Sequence, residues 1–249
     1  MKTVIIGSGN VAHHLAKAFT LKNIEVVQLF GRNEEQLKEI SAALEIPYST
    51  EKLEVADFYL IAVSDSAVAE VSKKIFFENV LVAHTSGSLP IDVLEGNYRK
   101  ASFYPLQTFS KLKELDYSKI PFFVEAENEF DLHALKNLAA AISENVMESS
   151  YEKRKYIHLT AVFACNFVNH LYARAKEIAD SQQIPFQYFL PLIDETTEKI
   201  HTVNPRDAQT GPAVRDDERV LKLHEELIKS EEQLKIYKLM NESIRKMYS

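Results

Sequence analysis

Val4-Ile5-Ile6-Gly7-Ser8-Gly9-Asn10-Val11-Ala12 decides how this chain is read. A β-branched run ends in glycine, and a segment of helical period follows it. Three branched apolar residues in succession predict a buried strand. The glycines fit G-x-G-x-x-A, a weak pattern alone but an informative one between a strand and a helix. Gly7 permits the tight turn, Gly9 lets a diphosphate approach the backbone, and Ala12 lets helix and strand pack closely. Free N–H groups and the positive end of the helix dipole then face the phosphates. Gly7, Ser8, Gly9, Asn10, Val11 and Ala12 are therefore the first candidate cofactor residues.

Working outward, Asn10 to Lys22 keeps Val11, Leu15, Ala18 and Phe19 on one side of a helix. Ile24 to Phe30 reads as a second strand and Glu34 to Leu44 as a second helix. Residues 58–63 and 80–83 are further strands, with Ser66 to Phe76 helical between them. Residues 101–103 and 122–124 are plausible later ones. Strand and helix in alternation predict a parallel sheet covered on both faces. Strand-like runs stop near Ser149-Ser150. Lys155 to Ile178, Phe186 to Ile200, Asp216 to Lys229 and Glu231 to Tyr248 read as helices. The fold class expected is α/β, a Rossmann-type parallel sheet domain over 1–150 followed by an all-helical domain over 151–249.

The second strand ends in Gly31-Arg32-Asn33. A site selective for NAD usually carries an acid here, to accept from the ribose 2′-hydroxyl. Arg32 stands there instead, and its fork suits a 2′-phosphate. Asn33 offers a hydrogen bond or an N-cap for the next helix. Gly31, Arg32 and Asn33 join the cofactor set, and NADP(H) is favoured over NAD(H).

The chain has 249 residues, 46% apolar and 26% charged, with net charge −7. No basic field is available for nucleic acid. No apolar run approaches the ~20 residues of a membrane span. The start does not read as a signal peptide, so a cytoplasmic location is the default expectation. The single cysteine, Cys165, excludes an internal disulfide framework and is read as packing rather than nucleophile. The histidines show no metal spacing, His13-His14 included. Glu225, Glu226, Glu231 and Glu232 alternate with lysines as a solvated face.

The glycine loop, Gly31-Arg32-Asn33 and Leu60-Ile61-Ala62-Val63-Ser64-Asp65 together carry a resemblance. The N-terminal half resembles the dinucleotide domain of pyrroline-5-carboxylate reductase and of the deazaflavin-dependent NADP oxidoreductases. That resemblance implies cofactor contacts at Val63, Ser64 and Asp65. The whole chain is similar to a bacterial family that joins a Rossmann-like domain to a helical domain of unknown function. Its marks are His84-Thr85-Ser86-Gly87-Ser88, residues 104–109, the helix from Lys155, and Thr210-Gly211-Pro212. The resemblance implies fold and cofactor class, and no particular substrate. By resemblance only, it also implies a homodimer.

On the substrate side, His84, Ser86 and Gly87 follow a buried strand at the carboxyl edge of the sheet, where ligands bind. His84 is either an acid–base group or the capped histidine of a Ser-Gly turn. Where the family often has histidine before Pro105, this chain has Tyr104, read as pocket wall or hydrogen-bond donor. In the long apolar helix, Lys155, His158, Asn166 and Asn169 fall within roughly 80° at 100° per residue. Such a stripe faces either a polar site or a partner helix. Related dehydrogenases place a lysine and an asparagine on such a helix beside the nicotinamide. The resemblance therefore makes Lys155 the candidate proton donor, His158 its competitor and Asn166 the substrate-orienting group, with Lys153 near enough to confuse the lysine assignment. Thr210 and Arg215 lie in a polar link and are either substrate contacts or solvated. The functional expectation is hydride transfer between NADP(H) and a small carbonyl, imine or hydroxy acid. The rival is a non-catalytic NADP(H) sensor.

Overall fold

The computed structural model describes residues 1–248. In chain order the strands are β1 (Thr3–Ile6), β2 (Val26–Phe30), β3 (Tyr48–Ser49), β4 (Phe58–Ile61), β5 (Leu81–His84), β6 (Arg99–Pro105), β7 (Phe122–Ala126) and β8 (Val146–Glu148). The helices are α1 (Asn10–Leu21), α2 (Glu34–Leu44), α3 (Val68–Ser72), α4 (Glu129–Ala140), α5 (Tyr151–Ala161), α6 (Val168–Ser181), α7 (Leu190–Lys199), α8 (Glu218–Leu227) and α9 (Glu231–Tyr248). The strands form one sheet in the order β3-β2-β1-β4-β5-β6-β7-β8. After β1 the chain builds outward through β2 and β3, then crosses to the other side of β1 with β4. That reversal beside β1 is the position where open α/β sheets bind ligands.

Side chains alternate across the sheet, as the strand period requires. Ile5, Leu29, Leu60 and Phe103 enter one core with Leu15 and Phe19 of α1, Leu37 of α2 and Leu135 of α4. Val4, Ile6, Tyr59, Ile61 and Val82 enter the other with Val68 of α3 and Leu94. Both faces are covered, so the central strands are mostly apolar, with Thr3, Gln28, His84 and Ser102 as buried polar residues among them. Tyr59 on β4 is buried as well, and its hydroxyl donates to the Glu54 carbonyl at 2.7 Å and accepts from the Ala56 N–H at 3.0 Å.

The sheet departs from the predicted all-parallel form at one place. β7 runs antiparallel to β6, while the other neighbouring strands pair parallel. The short strands β3 and β8 and the helix α4 add to the elements read from sequence. The helix expected over 66–76 is a 3-10 turn at Asp65–Ala67 followed by five-residue α3.

The chain divides into two compact units, Met1–Asn166 and from Phe167 onward. The division therefore falls later than the expected boundary at 150. The reason is α5, which is fixed to the sheet by the fully buried Arg154. The predicted long helix is a helical run with a π-helical turn at Val162–Phe167 between α5 and α6. In the second unit, α6 meets α9 through Arg174–Glu232 at 2.9 Å and Gln233–Glu177 at 2.9 Å. α8 meets α9 through His224 and the Tyr237 hydroxyl at 2.9 Å. Few apolar side chains of this unit are buried, and Tyr188, Leu192 and Leu239 are largely exposed. Among the described residues no helix is long and apolar enough to cross a membrane, and no group of three metal-ligating side chains occurs.

Candidate functional site

The glycine loop opens the first part of the site. Gly7 has φ +139°, and a Cβ there would lie 2.1 Å from the Ala62 carbonyl oxygen, so only glycine fits. Its N–H is held by the Phe30 carbonyl at 2.8 Å. A Cβ on Gly9 would meet nothing within 4 Å, which leaves open space over the start of α1. That helix end has neither a side-chain cap nor an acid in its first turn. By contrast α2, α4 and α8 are capped by Asn33, Asn128 and Asp217. Orphan N–H groups facing open space form a ready cradle for a diphosphate.

This cradle is one end of a cavity of about 410 Å³. Of the candidate cofactor residues, Gly7 to Val11, Gly31 to Asn33, Val63 and Ser64 line it. Ala12 does not, being fully buried beneath Gly7 in the packing role read for it. Asp65 also lies off the wall, and its carboxylate accepts a short hydrogen bond from the Ser88 hydroxyl. Asn33 spends its side-chain oxygen on capping α2 at the Gln36 N–H, 3.1 Å away. Six further residues of the wall lie outside the candidate set, Ile6, Phe30, Ala62, Ala67, Val71 and Lys74. The lining carries the cations Arg32 and Lys74 and no acid, in a chain of net charge −7. The residues present thus fit a dinucleotide.

A second cavity, of about 760 Å³, lies in the same unit. Val11 contributes to both walls. The rest is mostly apolar, including Leu106, Phe109, Ile157 and Ala161, with polar groups at Tyr104, His158 and Asn166. The Tyr104 hydroxyl lies 3.1 Å from His158 Nδ1, and the rings meet edge to face. Burial pushes the Tyr104 hydroxyl up to about 12, with nearby Asp65 adding to the shift and Arg154 opposing it. The tyrosine is therefore a proton carrier at neutral pH. A Cβ on Gly87 would lie 2.6 Å from Tyr104 Cζ and 2.9 Å from His158 Cβ, so glycine is what lets the pair close.

The wall of this cavity is strapped to α1. The Asn10 side chain donates to the Phe109 carbonyl at 3.0 Å. His14 bonds the Ser110 carbonyl and the Tyr117 hydroxyl, each at 2.9 Å. Lys17 pairs with Glu114 at 2.7 Å. His14 thus belongs to packing between helix and loop, and neither it nor His13 lines these two cavities.

Arg154 holds α5 in place and was not singled out by sequence. It pairs with Glu125 on β7 and donates to the carbonyls of Leu89 at 2.6 Å and Ser149 at 3.5 Å. One turn later on the same face stands His158. Beneath this contact lies His84, fully buried. Its Nδ1 accepts from the Ser86 N–H at 3.2 Å, so Nε2 donates to the Pro90 carbonyl at 3.3 Å. Burial holds its pKa down at about 4, with Arg154 adding to the effect. Of the two sequence readings, the geometry matches the capped histidine. Ser86 accepts from the Ser88 N–H at 3.1 Å, and His84, Ser86 and Gly87 shape the loop under the cavity without lining it.

Lys155 lies outside both cavities. Its amine pairs with Glu152, which holds it above the usual lysine range, and it sits near the rings of Tyr151 and Tyr156. Lys153 is outside as well. Cys165 is exposed on the cavity wall, not packed as the sequence suggested. Asn166 lines the cavity, whereas Asn169, Thr210 and Arg215 belong to the second unit and are exposed there. The polar stripe assumed 100° per residue, and the π-helical turn at 162–167 breaks that count.

Comparison with known proteins agrees with this architecture. Residues 2–95 match the family described as NADP oxidoreductase, coenzyme F420-dependent. Residues 120–244 match the domain of unknown function DUF2520. Bacteroides fragilis BF3122, provisionally named an NADP oxidoreductase, is 42% identical over 98% of each chain, with a TM-score of 0.93. Thermotoga maritima TM1727 is 21% identical over 99% of each chain, TM-score 0.82. A reductive aminase of Aspergillus terreus shares the fold at 11% identity, covering 98% of this chain and 94% of its own, TM-score 0.69. No protein with a curated description matches. The chain belongs to the family that joins an NADP oxidoreductase domain to a C-terminal DUF2520 domain.

Proposed function

We propose that this family member is an NADP(H)-dependent oxidoreductase acting on a small carbonyl, imine or hydroxy acid. One observation carries the reading. The phosphate cradle and an apolar cavity holding a hydrogen-bonded tyrosine–histidine pair share a wall at Val11. A bare nucleotide sensor needs the cradle but not the pair, so the pair favours catalysis. The 42% identity to a protein named for NADP oxidoreductase activity supports the same class.

The nicotinamide, when bound, supplies or accepts hydride. The chain does the rest. The N-terminus of α1 binds phosphate, and Gly9 leaves room for it. Phe109, Leu106 and Ala161 give the second cavity an apolar wall that disfavours water around a bound substrate. Tyr104 holds a proton at its hydroxyl, and His158 Nδ1 is placed to exchange it. Asn166 offers an amide for orienting a polar substrate group. A homodimer in a cytoplasmic setting belongs to the same reading, with the exposed Tyr188, Leu192 and Leu239 of the second unit available for burial.

Titration of the purified protein with NADPH and with NADH, followed by calorimetry, tests the cofactor. A panel of small ketones, cyclic imines and 2-oxo acids, with NADPH consumption as readout, then tests the chemistry. Tight NADPH binding with turnover of one panel class is expected. Binding of neither nucleotide overturns the reading. Binding without turnover of any class favours the sensor.

A further inference from the structure

Lys73 and Lys74 are neighbours just beyond α3, yet the structure uses them differently. Lys73 pairs with Glu95 at 3.2 Å. Among the described residues Lys74 has no carboxylate within ion-pair distance, and it lines the dinucleotide groove. Arg32 has the same two properties. The two cations reach the groove from separate connections, Arg32 from the end of β2 and Lys74 from beyond β4 and α3. Phe30, Val63, Ala67 and Val71 supply apolar surface on the same walls.

Exposed lysines are common and usually just solvated. Three observations set this one apart. It stands on a cavity wall, no acid balances it there, and the chain as a whole is acidic. The diphosphate is already served by the N-terminus of α1, so two further unmatched charges call for further negative charge on the ligand. An apolar wall for a base and two cations beside it describe the adenosine end of a dinucleotide with a phosphate on its ribose. The arginine fork suits bidentate contact with that phosphate, and lysine adds a point charge.

We propose that Lys74 and Arg32 form a two-cation clamp for the ribose phosphate, which makes Lys74 a determinant of selectivity for NADP(H) over NAD(H). The proposal rests on the dinucleotide reading above. A ligand without the phosphate leaves both cations in water and loses little when one is removed. A ligand with it loses a charge-assisted contact.

The test needs no substrate. Affinities for NADPH, NADH, 2′,5′-ADP and 5′-ADP are measured by calorimetry on the wild type and on K74A, K74E, R32A and K73A. Lys74 is exposed, so folding is expected to survive, and circular dichroism checks it. K74A is expected to weaken NADPH and 2′,5′-ADP by about 10-fold, the low end for a charge-assisted contact in water. NADH and 5′-ADP should change less than about 2-fold. K74E should weaken the phosphorylated pair further, and K73A should change neither pair. Equal losses for both pairs, or no loss in K74A, overturn the clamp. If the wild type prefers NADPH and K74A keeps that preference undiminished, the cofactor reading stands and only Lys74 falls. If the wild type binds none of the four, both readings fall.

Discussion

The Tyr104 hydroxyl and His158 Nδ1 stand 3.1 Å apart, joined across the gap between β6 and α5 over a residue that must be glycine. Fifty-four positions separate them in the chain. Nothing local would bring them together, so the contact is a product of the tertiary fold. Among the described residues it joins two titratable side chains of the apolar cavity wall.

Removing either partner should slow turnover without loosening the nucleotide. Y104F and H158N are expected to lower kcat by about 100-fold or more, the usual range for general acid–base groups. NADPH affinity should stay within about 2-fold, since neither residue lines the nucleotide groove. Steady-state NADPH consumption beside calorimetry decides it. Variants that keep a third of wild-type turnover would show that the proton comes from elsewhere.

Lys155 provides the contrasting case. Its amine is paired with Glu152 outside the cavity. K155A is expected to change kcat by less than about 3-fold, as exposed ion pairs contribute little. A loss as large as that of H158N would mean that the lysine reaches the reacting atoms in the working enzyme, and it would restore the role implied by family resemblance.

The buried His84 should make stability depend on acid. Its pKa in the fold, about 4, lies below the usual 6.5 of the unfolded chain. The unfolded state then binds more protons between these values, so stability is complete above about pH 6.5 and falls as pH drops toward 4. The shift corresponds to about 3 kcal/mol at most, as an order of magnitude. Urea unfolding from pH 8 to pH 4 measures it. H84N, which can keep the bond to the Ser86 N–H, is expected to flatten this window, and an unchanged profile would rule His84 out as its source.

Arg154 is fully buried and tied to Glu125 and to two carbonyls. R154M should cost about 3 kcal/mol or more, because it strands the Glu125 charge and the Leu89 carbonyl. Thermal or urea unfolding provides the number. R154M and E125Q together should lose less than the sum of the two singles. Strict additivity would argue that the pair is not the source of the cost.

The elements with strong local period were legible from sequence. Val4-Ile5-Ile6 followed by Gly7 and an amphipathic run has essentially one structural outcome, and the structure has it. Tyr104 was placed at a strand end and His158 on a partly polar helix, although their contact could not be read. What escaped depends on distant partners. Arg154 looks like any helical arginine until Leu89, sixty-five positions away, is seen beside it. Lys74 differs from Lys73 only in which wall it faces. The π-helical turn at 162–167 leaves little sequence trace, yet it undoes a stripe drawn at a constant angle and keeps Asn166 in the cavity while Asn169 falls in the next unit. The antiparallel turn of β7 is likewise a choice of the assembled sheet.

The strap between α1 and the 106–117 loop has a consequence for how the two cavities share information. Asn10 sits at the mouth of the phosphate cradle and at the same time grips the carbonyl of Phe109, a wall residue of the other cavity. A single helix turn is thus a common hinge pin. Any ligand that biases its position on one side also biases the fit on the other, and thermodynamics demands that the bias be mutual: the factor by which nucleotide tightens the second ligand equals the factor by which that ligand tightens nucleotide. N10A would then loosen that mutual bias, while His14 and Lys17 keep the rest of the strap in place.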